Sequence, residues 1–201
     1  RRVVNNVQRS ASLFLVKNLF SLLLTIFSTV LMISYPLMPS QVSLISMFTI
    51  GIPGFLLALE PNKSRIKGHF LGNVLLKALP AGLTDFFAVS ALVICGHVFN
   101  IPSTDIATAS TLLIAVVGFM IMIKISHPFN NFKYGILALN IFGLIFCGLF
   151  LDNLFAMSDM SNICILLTIV FGSAAESMFR YITIFVEFIQ NRMRKKKNAL
   201  R

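Results

Sequence analysis

Residues 11–34 read ASLFLVKNLFSLLLTIFSTVLMIS, and the one charge in this stretch is Lys17. A helix rises 1.5 Å per residue, so about 20 apolar residues cross a hydrocarbon core of roughly 30 Å. Five more apolar blocks follow, at about 42–59, 73–99, 106–125, 134–151 and 161–188. Period-two alternation is absent, and the blocks are too long for barrel strands. Helices are therefore the form that satisfies every backbone polar group within lipid. The fold class is an all-α membrane protein, a bundle of six transmembrane helices.

Composition agrees with this reading. The chain is 57% hydrophobic and 12% charged, against roughly 45–50% and 25% in soluble domains. One soluble core of this length cannot hide so much apolar surface, so the lipid bilayer is the expected partner. The net charge is +10, which in a soluble protein would point to nucleic acid. Here the basic residues cluster between apolar blocks and at the ends, and no nucleic acid is expected. Cys95, Cys147 and Cys164 lie inside apolar stretches without paired spacing and read as small buried hydrophobes.

The connections give an orientation. Arg1, Arg2 and Arg9 precede the first helix, and Lys63, Arg65 and Lys67 separate the second from the third. Lys124 and Lys133 flank the fourth-to-fifth connection, and a basic run from Arg192 to Lys197 follows the sixth helix. The alternate connections, near 36–41, 100–105 and 152–159, carry no Lys or Arg. The positive-inside rule then places both termini on the cytoplasmic side of a multi-pass protein of the cell membrane. Residues 1–201 read as one transmembrane domain with a basic cytoplasmic tail, 189–201. That tail can bind anionic lipid or act as a plain stop-transfer flank. With its opening Arg1-Arg2 and no Met, the chain is expected to be a fragment of a longer protein.

Polar groups inside the spans carry the functional information, because leaving them in lipid is costly. On the first helix Asn18, Ser21 and Thr25 share a face, with Lys17 beside it. Lys17 reads either as a snorkelling lysine or as an internal cation. The second block carries Ser46, Thr49, Gly51 and Pro53. Pro53 supplies no backbone donor, so carbonyls around Thr49 and Ile50 lose helical partners. Free carbonyls beside hydroxyls suit a cation site on a discontinuous helix, and a plain proline kink is the alternative. The third block is expected to be interrupted at Pro80 and Gly82. Asp85, just beyond, and Glu176 with Arg180 read as structural contacts between helices rather than transport ligands. Phosphate-cradling loops, paired-histidine metal motifs and nucleophile elbows are absent, and His69, His97 and His127 form no ligand spacing. Alone, these residues hydrolyse nothing.

The order of residues resembles the carboxy-terminal membrane half of P-type ATPases. Arg1-Arg2-Val3-Val4-Asn5-Asn6-Val7 leading to Lys17-Asn18 is similar to the start of the family's fifth helix. Pro39-Ser40-Gln41 through Thr49-Ile50-Gly51-Ile52-Pro53 is similar to its sixth. The likeness is greatest to bacterial cation pumps whose sixth helix reads Thr-Ile-Gly-Ile-Pro, including a mycobacterial type associated with calcium. It covers the whole chain, with specific motifs in the first sixty residues or so.

The resemblance implies an ATP-driven cation pump whose phosphorylated aspartate, Mg-ATP and cytoplasmic domains lie outside this chain. The enzyme would be the complete pump, not the segment. It also implies a translocation site formed by Asn18, Ser21, Ser46, Thr49 and the Ile50 carbonyl, with Gly51 and Pro53 as the helix break. Asn18 and Thr49 match ligand positions of the calcium pumps. Ser21, Ser46 and Ile50 replace a glutamate, an asparagine and an aspartate there, so two expected carboxylates are missing. Lys17 is similar in position to a lysine of the gastric proton pump that acts as an internal cation. The transported cation is expected to be calcium or another divalent ion, with the metal's identity left open by these substitutions. A six-helix secondary transporter is the alternative, which internal repeats would support and this sequence does not display.

Overall fold

The computed structural model describes residues 2–59 and 70–199. Its helices are α1 (Arg2–Val30), α2 (Pro39–Ser46), a π-helical turn (Met47–Gly51), α3 (Ile52–Leu59), α4 (Phe70–Val98), α5 (Ser103–Ser126), α6 (Asn131–Phe150), α7 (Asp152–Phe155) and α8 (Asn162–Ala199). Helix α2, the π turn and α3 run on as a single stretch, Pro39–Leu59. Among the described residues, six helical stretches are thus long and apolar enough to cross a membrane, and the chain is a multi-pass membrane protein.

The central elements are α4 and α5. On α1, Leu13, Val16, Phe20 and Leu24 recur at helical spacing and are buried; α1 packs chiefly on α4. Helix α4 also contacts α5 and α8. Helix α5 is enclosed on nearly every side, with Ala109, Leu113, Val117 and Ile121 fully buried. By contrast α6 exposes Phe142, Phe146, Leu149 and Phe150. Such a face suits acyl chains, which are as apolar as the side chains themselves.

Helix ends follow local chemistry. Met32 takes φ 54°, and Ile33 N–H donates to Ser28 O at 3.0 Å while Met32 N–H donates to Thr29 O at 3.3 Å. Asn100, at φ 52°, closes α4 with the same pair of bonds, to His97 O and Gly96 O. Both are Schellman motifs, which satisfy the last helical carbonyls. Helix α2 begins at Pro39, and Met38 N–H donates to the Gln41 side chain at 2.9 Å.

Several boundaries depart from the sequence reading. The second span begins three residues earlier than expected, because Pro39 suits a first helical turn. Helix α4 is continuous through Pro80 rather than interrupted; tight packing by α1, α5 and α8 holds the helix together where one backbone bond is missing. Helix α8 runs on to Ala199 through the segment expected as a tail, with its apolar span ending at Gln190. The short α7 was not anticipated.

The connections 31–38, 99–102 and 151–161 gather at one end of the bundle. Gln41 Nε2 donates to Ala156 O at 2.8 Å. Ser158 N–H donates to Thr108 Oγ1 at 3.0 Å, and Ser161 N–H to Asp105 Oδ2 at 2.9 Å. Toward the other end Lys124 Nζ lies 3.2 Å from Glu187 Oε1, joining α5 to α8. The basic connection with Lys63, Arg65 and Lys67 lies outside the described residues, as do the side chains of Arg2, Arg9 and the tail lysines.

Candidate cation site

The second span widens where the proline interrupts its bonding. From Met47 to Gly51 the backbone adopts a π turn, and Ile52 N–H reaches back five residues to Met47 O. Pro53 follows directly and offers no N–H to the carbonyls of the preceding turn. A π turn is a common device for bending a helix at a functional site. The break expected at Gly51 and Pro53 is therefore present as a bulge in a helix that resumes at Ile52.

Beside this bulge is a cavity of about 40 Å³, walled by α1, the α1–α2 connection, the second span, α4 and α5. Its polar lining is Lys17, Ser21, Tyr35, Ser46, Thr49 and Asp85, with Ile50 also on the wall. Such a volume admits a water molecule or a partly dehydrated ion. Thr49 occupies the centre of Pro39–Leu59, and Asp85 lies within one residue of the centre of Val74–Val98. The cavity is thus near mid-span, walled mostly by Leu13, Val16, Phe20, Ile45, Ile114 and Ile121.

The hydroxyls present acceptors. Ser46 Oγ donates to Val42 O at 2.6 Å, and Thr49 Oγ1 donates to Ile45 O at 2.8 Å. With each proton committed to its own helix, the remaining lone pairs are available to a cation. Ser21 Oγ lies 3.3 Å from the Tyr35 hydroxyl. Asp85 is 2% exposed, and its Oδ1 has no hydrogen-bond partner. Among the described residues, no three His, Cys, Asp or Glu side chains gather in a metal-binding cluster.

Of the residues that the sequence singled out, Lys17, Ser21, Ser46, Thr49 and Ile50 converge on this cavity. Asn18 does not: it is exposed, on another side of α1. The cavity face of α1 runs through Leu13, Val16, Lys17, Phe20 and Ser21, and one residue's rotation of about 100° carries Asn18 off it. Thr25 is exposed too, so the shared Asn18–Ser21–Thr25 face is not the inward one. The sequence does not single out Tyr35 and reads Asp85 as a structural contact; both line this cavity. The signal for Asp85 was its isolation: an acid in the middle of a long apolar block, with no basic residue at helical spacing. Glu176 and Arg180 are both exposed on α8, away from this site.

No family model matches the chain. It is 29% identical over 158 residues to the "probable cation-transporting ATPase exp7" of Streptococcus pneumoniae, covering 75% of this chain and 20% of that protein. It is 31% identical over 144 residues to the "calcium-transporting ATPase CtpE" of Mycolicibacterium smegmatis, covering 65% and 18%. Over these stretches the chain is homologous to cation-transporting P-type ATPases. The CtpE of Mycobacterium tuberculosis is 28% identical over the same length. The chain spans about a fifth of the length of these curated relatives. All three are bacterial proteins, and the six spans mark this chain as membrane-embedded sequence.

Proposed function

We propose that this chain is the carboxy-terminal membrane part of an ATP-driven cation pump, and that the cavity beside the π turn lies on the ion's path. The transported ion is calcium or another divalent cation. The observation that carries this reading is the meeting of Lys17, Ser21, Ser46 and Thr49 around one mid-span cavity, next to a helix broken at Gly51 and Pro53. Hydroxyl and carbonyl oxygens suit a hard cation, whose remaining ligands would be water or groups of the rest of the pump. Mg-ATP would act in cytoplasmic domains outside this chain, and α1 would transmit their movement to the cavity. Asn18, on the exposed side of α1, is placed to meet a preceding helix of the same protein. The alternation of connections with and without Lys or Arg supports cytoplasmic termini.

The test uses the complete protein in vesicles. ATP hydrolysis is recorded while calcium, magnesium, manganese, potassium and sodium are titrated, with Ser46→Ala and Thr49→Ala in parallel. One cation should stimulate turnover, and both variants should need more of it. Hydrolysis indifferent to every cation, or variants that respond like the parent, would overturn the assignment. Cation flux without ATP would instead favour a secondary transporter.

A further inference from the structure

We infer that Asp85 of α4 is the anionic ligand of this cation site, and that the Lys17 ammonium balances its charge when no cation is bound. The inference rests on the pump reading above and adds to it a third ligand-bearing span. Hydroxyls, carbonyls and an ammonium alone would make a site that repels cations. Asp85 changes that sum.

The alternative for a buried aspartate is a structural contact, and the surroundings argue against it. A structural carboxylate in an apolar interior is normally saturated by hydrogen bonds or an ion pair, because a buried charge left unpaired is costly. Asp85 is 2% exposed, yet its Oδ1 has no partner. The adjacent Thr84 hydroxyl does not serve it, since Thr84 Oγ1 donates to Pro80 O at 2.7 Å. The carboxylate instead lines the same cavity as the Ser46 and Thr49 hydroxyls. Its Oδ1 is left without a partner although the Ser21, Tyr35, Ser46 and Thr49 hydroxyls line the same cavity. A hard metal cation supplies that missing positive charge.

Lys17 is the basic residue on the same cavity wall, and it is half-buried. Its flexible four-carbon stem lets the ammonium approach Asp85 or withdraw along α1. Cation and ammonium thus compete for one carboxylate. With Lys17 close, the carboxylate is balanced; with the cation close, the ammonium is driven off by like charge. This competition gives the site a low-affinity state without rebuilding its ligands.

The experiment uses the complete protein in vesicles and in detergent, with calcium, magnesium, manganese, potassium and sodium as probes. Asp85→Asn keeps the shape and removes the charge. For the cation that stimulates the parent, Asp85→Asn should raise the half-saturating concentration by about tenfold or more, as losing a charged ligand does. Melting of the ion-free variant should change little, since a buried charge has gone and the half-buried Lys17 can withdraw toward water, and the cation should raise it less. Asp85→Glu should recover part of the response. A variant with parental half-saturation overturns the inference while leaving the pump reading intact. So does an Asp85→Asn protein that fails to fold, because the inference predicts lost affinity and not lost stability. A parent protein that no cation stimulates overturns the pump reading and this inference with it.

Discussion

Gly118 of α5 backs directly onto Thr49 of the π turn: a Cβ built on Gly118 would lie 2.8 Å from Thr49 Cγ2 and 2.9 Å from Thr49 Cβ. No real contact is that short, so any larger residue must push the second span away. Thr49 has little room to yield, being 3% exposed and anchored to Ile45 O. Gly118→Ala should therefore destabilise the protein by about 1–3 kcal/mol, the usual result of overpacking. It should also weaken cation stimulation although position 118 carries no ligand. Melting temperature and half-saturating cation concentration, read on the same preparation, check both effects.

Removing the ammonium separates its two roles. Lys17→Met keeps length and apolar bulk but leaves Asp85 without its balancing charge. The ion-free protein should melt at a lower temperature than the parent. Added cation should then raise the melting temperature by more than it does in the parent, because binding stabilises the folded state by RT ln(1 + [L]/Kd) and Kd has fallen. A snorkelling lysine predicts neither change, since its loss would leave the cavity untouched.

Much of the fold could be read from block length alone. Six apolar stretches separated by charged or turn-forming residues leave few alternatives in lipid, and the described residues form six such spans. Pro80 misled because a proline's missing bond was read as a break, whereas close packing keeps α4 continuous. The site was partly legible. Ser46, Thr49 and Ile50 follow from a proline beside hydroxyls on one helix. Asp85 did not, because its neighbours come from α1 and the second span, and no spacing within α4 announces them. Asn18 sits next to Lys17 in sequence but about a third of a turn away in space, off this cavity and on an exposed side of α1.

Gln41 tests how firmly the second span is held. The side chain is fully buried, accepting from Met38 N–H at 2.9 Å and donating to Ala156 O at 2.8 Å. It joins the start of α2 to the end of α7, next to a residue at φ 51°. Gln41→Leu fills nearly the same volume but strands one donor and one acceptor. The expected loss is about 0.5–1.5 kcal/mol per bond, because both bonds are only part-buried and water can reach the stranded groups. Faster amide exchange at 152–157, compared with the parent by mass spectrometry, would show that the loss arises at this contact.

The approach of α1 to α4 depends on Gly82, whose added Cβ would meet Leu19 Cδ2 at 2.8 Å and Leu19 Cβ at 3.2 Å. That approach sets the distance between the α1 wall of the cavity and Asp85, three residues further along α4. Gly82→Ala should lower the melting temperature and raise the half-saturating cation concentration, by moving Lys17 and Ser21 away from Asp85. Leu19→Ala alone should cost stability through lost packing, less than the roughly 2–5 kcal/mol of a fully buried leucine because Leu19 is half-buried. Combined, the two changes should be less harmful than their sum, because the smaller residue at 19 admits the new methyl group. A double-mutant cycle measures that coupling directly, and contacting residues commonly give about 0.5–3 kcal/mol. If cation affinity recovers with stability in the double variant, the α1–α4 distance governs the site. If stability recovers and affinity does not, Leu19 and Gly82 only pack the bundle, and the cavity's geometry is set by the π turn and α5 instead.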